Sequence, residues 1–153
     1  MSSLKPAIFC ILYTFPAIWA QFFLPSMDMF SPALLVLLQS GLFKAAIWAG
    51  LAWMLIQEGT GTLAFGTMIL FYLGFAVFYF TGGMFFEVSN YLFTFLLFLF
   101  LSAYRAVLVS VMATLQDMKV TEHYSPEGIL IQALILFSVW MITFNLFKKN
   151  ISL

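Results

Sequence analysis

The residues able to do chemistry in this chain are few, because six lysine or arginine and six aspartate or glutamate side chains occur among 153 residues. Ionisable groups in or beside long apolar stretches are the first candidates for function in such a chain. Glu58 follows Gln57 at the end of one apolar stretch and precedes Gly59, where we predict a polar contact to a partner or ligand. A solvated loop carboxylate is the alternative. Arg105 lies inside a later apolar stretch, and Lys44 lies between two of them.

Arg105 has two expected environments. Its long aliphatic stem allows the guanidinium to snorkel to the membrane interface. Otherwise the charge needs an acidic partner, and Glu58 is the carboxylate that we expect at a similar depth. Glu87 follows Phe86 at the end of another apolar stretch, and there we expect a surface acid. Because Glu87 is expected at a surface and Glu58 at the depth of Arg105, the Glu58 to Arg105 ion pair is the one specific pairing that the sequence predicts.

Catalysis and metal binding have little support. His123 is the only histidine and lies in a polar loop with Glu122 and Glu127, whereas zinc sites use at least three protein ligands. Cys10 is the only cysteine and lies in an apolar stretch. No serine or cysteine has a neighbouring base, and the run from Gly59 to Gly61 lacks the lysine of a phosphate-binding loop. We predict no enzymatic activity, no cofactor and no metal.

Lipid is the solvent that this composition requires. Hydrophobic residues make up 64% of the chain and charged residues only 8%, against about 25% in soluble domains. Formal net charge is zero, which offers no basic surface for nucleic acid. We predict an all-α integral membrane protein in which residues 1–153 form a single transmembrane domain with no soluble domain. The predicted apolar segments are 7–24, 31–42, 45–57, 62–80, about 90–113 and 128–147.

The region 31–56 decides the number of spans. As a single helix it places Lys44 near the bilayer centre, at an insertion cost of about 2.5 to 3.5 kcal/mol. As a hairpin with Gly41 and Lys44 at the bend, it places the ammonium at the surface. With six spans, Lys5, Lys44, Lys148 and Lys149 all lie on the cytoplasmic side, as the positive-inside rule prefers. We therefore predict six spans with both termini cytoplasmic, or five if 31–56 is one span.

The first apolar segment is expected to remain as an anchor, because its apolar run is longer than that of a secretory signal and its cleavage point is poor. Small residues then predict close helix packing. Ala46 and Gly50 share one helical face, and Gly66 and Gly74 share another. Such faces let helix backbones approach each other in lipid. They serve internal packing and partner docking equally well.

The order of these features resembles the MreD family of bacterial rod-shape-determining membrane proteins. That family has a Ser-Pro or Asn-Pro start to its second span, a Gln-Asp pair closing the third and a glycine before the fourth. Pro32, Gln57, Glu58 and Gly66 occupy those places, with Lys44 in the basic turn between. Glu58 departs from the usual aspartate but keeps its charge.

The resemblance implies a non-enzymatic scaffold or accessory subunit of the inner membrane, within the complex that directs cell shape and lateral cell-wall (peptidoglycan) synthesis. Its implied partners are membrane lipid, an MreC-like protein, and the transglycosylase and transpeptidase of elongation.

A substrate-capture subunit of an energy-coupling-factor vitamin transporter is the alternative. Such a subunit needs a pocket, and the side chains available to line one are Trp48, Trp53, Asn90, Tyr91, Gln132 and Trp140. An orphan accessory subunit of another membrane assembly is a third possibility.

Overall fold

The computed structural model describes residues 4–60, 64–117, 119 and 124–151, and within them every regular element is a helix. The long apolar runs dictate this result, because a helix satisfies all its backbone hydrogen bonds within one segment of chain. The helices are α1 (Leu4–Phe23), α2 (Ser31–Gln39), α3 (Phe43–Gly59), α4 (Thr67–Phe85), α5 (Tyr91–Leu115) and α6 (Pro126–Ile151).

Four of these helices, α1, α4, α5 and α6, are long and apolar enough to cross a membrane. A span of about 30 Å needs roughly 20 residues at 1.5 Å per residue, and the shortest of the four has 19. The prediction of an all-α membrane protein is confirmed. Six helices are present among the described residues, and four of the six predicted spans are long and apolar enough to cross a membrane.

The hairpin interpretation of residues 31–56 is also confirmed, and the single-helix alternative is wrong. The chain leaves helical geometry between α2 and α3, where Gly41 adopts a positive φ of 73°. Glycine reaches this left-handed conformation without steric cost, which explains its place in the turn. Lys44 follows in the first turn of α3, and its side chain is exposed.

The second helix differs from the short span that the sequence predicted. It has nine residues, so it is only about 14 Å long. Pro32 occupies its first turn, where a missing backbone N–H costs nothing. Every side chain from Ser31 to Leu37 is buried. This helix is therefore a component of the protein interior and is too short to cross a bilayer.

The chain divides into two compact units, one made of Met1–Trp53 with Ile135–Leu153 and the other of Met54–Leu134. We call them the first and second units. In the first unit, Trp53 stacks on Phe30 with ring centroids 5.3 Å apart. Leu34 of α2 lies against Gly50 of α3, at an ordinary contact distance for an added Cβ. The small face of α3 thus packs internally. A single domain remains the sequence-based prediction.

In the second unit, α4 packs against α5. Gly74 makes this approach possible, because a Cβ at that position would overlap the ring of Tyr104. The Tyr104 hydroxyl donates a hydrogen bond to the carbonyl of Leu70, 3.0 Å away. The glycine that the sequence marked as a packing residue therefore seats an aromatic side chain within the same unit.

Candidate functional site

Glu58 ends α3 and caps the beginning of α4. Its Oε1 accepts a hydrogen bond from the backbone N–H of Met68 at 2.8 Å, and its Oε2 accepts one from the N–H of Gly66 at 3.1 Å. The first N–H groups of a helix have no partner inside the helix, and they form its positive end. A carboxylate placed there satisfies two of them at once.

Gly66 explains why the cap comes from another helix. It is the residue preceding α4, with φ of 87°, and it has no side chain with which to cap the helix itself. A Cβ at this position would also lie 3.5 Å from the Met112 methyl group of α5. That is an ordinary contact distance, so it is the positive φ of the turn that favours glycine, and Glu58 supplies the missing acceptor.

A second set of hydrogen bonds joins the end of α5 to the segment just before α4. The side-chain amide of Gln116 accepts a hydrogen bond from the Phe65 N–H at 3.1 Å and donates one to the Phe65 carbonyl at 2.8 Å. We call Glu58, Phe65, Gly66, Met68 and Gln116 together the Glu58 corner. The ends of α3 and α5 both fasten the start of α4 there.

Gln57, beside this corner, is buried and donates a hydrogen bond from Nε2 to the hydroxyl of Tyr72 on α4, at 3.1 Å. Gly59 is exposed at the end of α3. Among the six interaction candidates from the sequence, Gln57, Glu58, Gly59 and Gly66 meet at the connection between α3 and α4. The hydrogen bonds of Gln57 and Glu58 there join helices of this chain.

Arg105 does not take the first of its two expected environments, the membrane interface. It is 3% exposed, so it does not snorkel to a surface. Its guanidinium carbon lies 5.9 Å from the centroid of the Phe71 ring, a cation–π arrangement between α5 and α4. The two oxygens of Glu58 thus bind backbone amides at the start of α4, and the Glu58 to Arg105 pair stays a prediction.

The first unit contains a polar cluster that sequence reasoning missed. Asp28 lies in the connection before α2 yet is only 1% exposed. Its Oδ1 accepts a hydrogen bond from the Phe30 N–H at 3.1 Å, and its Oδ2 accepts one from the Ser31 hydroxyl. The Tyr13 hydroxyl donates to the adjacent Met29 carbonyl at 2.7 Å. We call Asp28, Phe30 and Ser31 the Asp28 corner. An acid shortly before a Ser-Pro helix start was the available signal.

The residues considered for a transporter pocket have separate roles in the structure. Trp53 is buried and donates to the Thr14 hydroxyl at 2.8 Å, and Trp140 is buried and donates to the Gln39 side chain at 2.9 Å. Asn90 caps α5 by accepting a hydrogen bond from the Leu92 N–H. The remaining three are Trp48 and Tyr91, which are exposed, and Gln132, which is buried on α6.

Within the described residues, no group of three or more histidine, cysteine, aspartate or glutamate side chains is arranged to hold a metal ion. Of the loop residues considered for a metal in the sequence, Glu122 and His123 lie outside the described residues, and Glu127 lies in the first turn of α6. Glu87 is exposed and accepts a hydrogen bond from the Ser89 hydroxyl at 3.0 Å.

Comparison with protein-family models, with curated proteins and with solved structures found no match for this chain. The geometry of the Glu58 corner is therefore the main guide to its function.

Proposed function

We propose that this protein is a non-enzymatic scaffold or accessory subunit of the bacterial inner membrane, acting in the complex that directs cell shape and lateral cell-wall synthesis. The observation that carries this proposal is the use of Glu58. Together with Gln57 and Gly66 it makes up the part of the MreD-like motif that lies at the α3–α4 connection, and its carboxylate fixes the start of α4. A motif used in this way positions the helices on either side of the connection.

The exposed apolar surface is consistent with a role among membrane partners. Only 11% of the most apolar window of α1 is buried within the chain. Phe15, Trp19 and Phe22 of this helix are more than two-thirds exposed. Such a helix presents its side chains to lipid or to helices of other proteins, which is the mode of association expected for a scaffold in a bilayer.

The transporter alternative has weaker support. A substrate-capture subunit needs polar and aromatic groups that converge on one pocket. Trp53, Trp140 and Asn90 make hydrogen bonds that hold or cap helices instead. The scaffold role requires no such convergence, and for this reason we favour it.

Co-purification of the tagged full-length chain from native membranes in mild detergent tests the proposal. We expect recovery of an MreC-like protein together with the transglycosylase and transpeptidase of elongation. The Glu58→Ala variant should recover less of these partners per folded chain, while Glu87→Ala, which removes an exposed acid, should match the unaltered protein. Recovery of ATPase subunits or a bound vitamin in place of the wall-synthesis proteins would refute the scaffold.

The orientation that belongs to this proposal has both termini on the cytoplasmic side. Single cysteines introduced near Lys5 and near Lys149 in a Cys10→Ala background should both resist a membrane-impermeant maleimide applied from the periplasmic side. Labelling of only one of the two sites would contradict this orientation and leave the partner test unaffected.

A further inference from the structure

A cavity of about 820 Å³ opens in the first unit, between the beginning of α1 and the turn that leads into α3. Its volume lies within the range of about 300 to 1,000 Å³ that is usual for ligand sites. Pro6 and Cys10 line it from α1, and Gly41, Lys44 and Trp48 line it from the turn and α3. The residues of the Glu58 corner take no part in it.

The chemistry of the walls is asymmetric. Lys44 is the only charged residue among those that line the cavity, and the rest of the lining is apolar or glycine. The side chain of Lys44 is exposed. Lys44 also lies in the first turn of α3, so the positive end of the helix dipole adds to its charge. The cavity thus combines an apolar interior with a single positive edge.

Trp48 indicates the depth of the cavity in the bilayer. Its side chain is 75% exposed and lies one turn after Lys44 on the same helix. Tryptophan and lysine near the end of an apolar helix are typical of the boundary between acyl chains and headgroups. A ligand in this cavity therefore places its charged part at the headgroup level and its apolar part alongside α1 and α3.

We propose that this cavity binds an anionic phospholipid of the surrounding bilayer, with an acyl chain against Pro6, Cys10 and Trp48 and the headgroup phosphate on Lys44. A free phosphate ion gains no binding energy from the apolar walls. A polar vitamin needs more hydrogen-bonding groups than the lining provides. An anionic lipid matches both the apolar walls and the single cation, as in basic pockets at the ends of membrane helices. This site is independent of the scaffold role.

Photocrosslinking in nanodiscs tests the proposal with the full-length protein. The probe is a phosphatidylglycerol with a diazirine in one acyl chain, and the reference probe is a phosphatidylcholine with identical chains. We expect adducts from phosphatidylglycerol to concentrate in segments 6–11 and 41–49, about fivefold above the phosphatidylcholine level, which corresponds to about 1 kcal/mol for one lysine. An excess of inorganic phosphate should leave them unchanged.

Two variants make the result specific. Lys44→Gln should lower the phosphatidylglycerol adducts to the phosphatidylcholine level, whereas Lys149→Gln, at the end of α6 and outside the cavity lining, should retain them.

Cys10, the only cysteine in the chain, offers a second measurement that needs no engineered label. Its reaction with a maleimide should be slower in phosphatidylglycerol than in phosphatidylcholine, and Lys44→Gln should remove this difference.

Equal labelling by the two lipids, or adducts that persist in Lys44→Gln, would overturn the site and reduce the contact to general bilayer lipid. Competition by inorganic phosphate would reassign Lys44 to a soluble anion.

Discussion

Two helices in this protein begin at a carboxylate, and the two carboxylates reach their helices in different ways. Asp28 accepts hydrogen bonds from the Phe30 N–H, two residues later, and from the Ser31 hydroxyl, three residues later, and its side chain is buried. Glu58 belongs to the preceding helix and reaches amides eight and ten residues further along the chain, with its side chain partly accessible. The first makes local hydrogen bonds in the turn before its helix, and the second joins two helices. In both, an acid in an apolar chain serves the architecture.

The comparison predicts that the local, enclosed carboxylate matters more for stability. Asp28→Ala leaves a buried amide and a buried hydroxyl without their acceptor, and each unsatisfied group costs about 1 to 3 kcal/mol. We expect a loss of about 3 kcal/mol or more in the free energy of unfolding, measured by denaturant titration in detergent micelles. Glu87→Ala, which removes an exposed acid, should have little effect. Equal losses from the two variants would show that the burial of Asp28 does not matter.

Glycine substitutions compare the helix packing of the two units. Gly74→Ala forces a Cβ into the Tyr104 ring, and overpacking of this kind costs about 1 to 3 kcal/mol. Gly50→Ala, where the added Cβ meets Leu34 at 3.4 Å, should change stability by much less. Thermal unfolding in detergent measures both. Adding Tyr104→Leu to Gly74→Ala should recover part of the loss, and a failure to recover would place the strain elsewhere.

Removal of the long-range cap should have a smaller effect than removal of the buried one. Glu58→Ala frees the Gly66 and Met68 amides near a partly accessible helix start, where loss of a cap costs about 1 to 2 kcal/mol. Hydrogen exchange at the beginning of α4 should accelerate in this variant, while exchange in α2 stays the same. Glu58→Gln keeps one acceptor oxygen, so its exchange rate at the beginning of α4 should lie between those of the unaltered protein and Glu58→Ala. Unchanged exchange at Met68 would contradict the capping role.

The smallest effect is expected at the other link of the Glu58 corner. Gln116→Ala removes two hydrogen bonds to Phe65, but both lie at an exposed position, so water replaces them at a cost of about 0.5 to 1 kcal/mol. Combined with Glu58→Ala, it should destabilise the start of α4 by more than the sum of the separate losses, because the two side chains hold the same segment. Simple additivity would show that α3 and α5 fasten α4 independently.

The helices could be predicted from sequence because apolar length and breaks are local properties. Gly41 and Lys44 marked the turn between α2 and α3, and the structure places the turn there. The nature of α2 could not be predicted in the same way. A nine-residue apolar run reads equally as a short span or as an interior helix, and only the burial of all its first seven residues distinguishes them.

For the polar contacts, too, the residues could be singled out from the sequence but their partners could not. Glu58 was singled out because it ends an apolar helix, but its partners are backbone amides, which carry no residue-type signal. Arg105 was expected at a surface or on a carboxylate, and the aromatic face of Phe71 was not considered. Asp28 was not among the sequence candidates, because its burial depends on the segments that enclose it.

The enclosed helix α2 has a consequence for biosynthesis. Insertion machinery recognises segments by their own length and hydrophobicity, and a nine-residue helix is too short to be released into lipid as an independent span. The nascent chain must therefore hold α2 until α3 has emerged, because Leu34 and Phe30 find their contacts on Gly50 and Trp53. The first unit is completed later still, because it also includes Ile135–Leu153 at the far end of the chain.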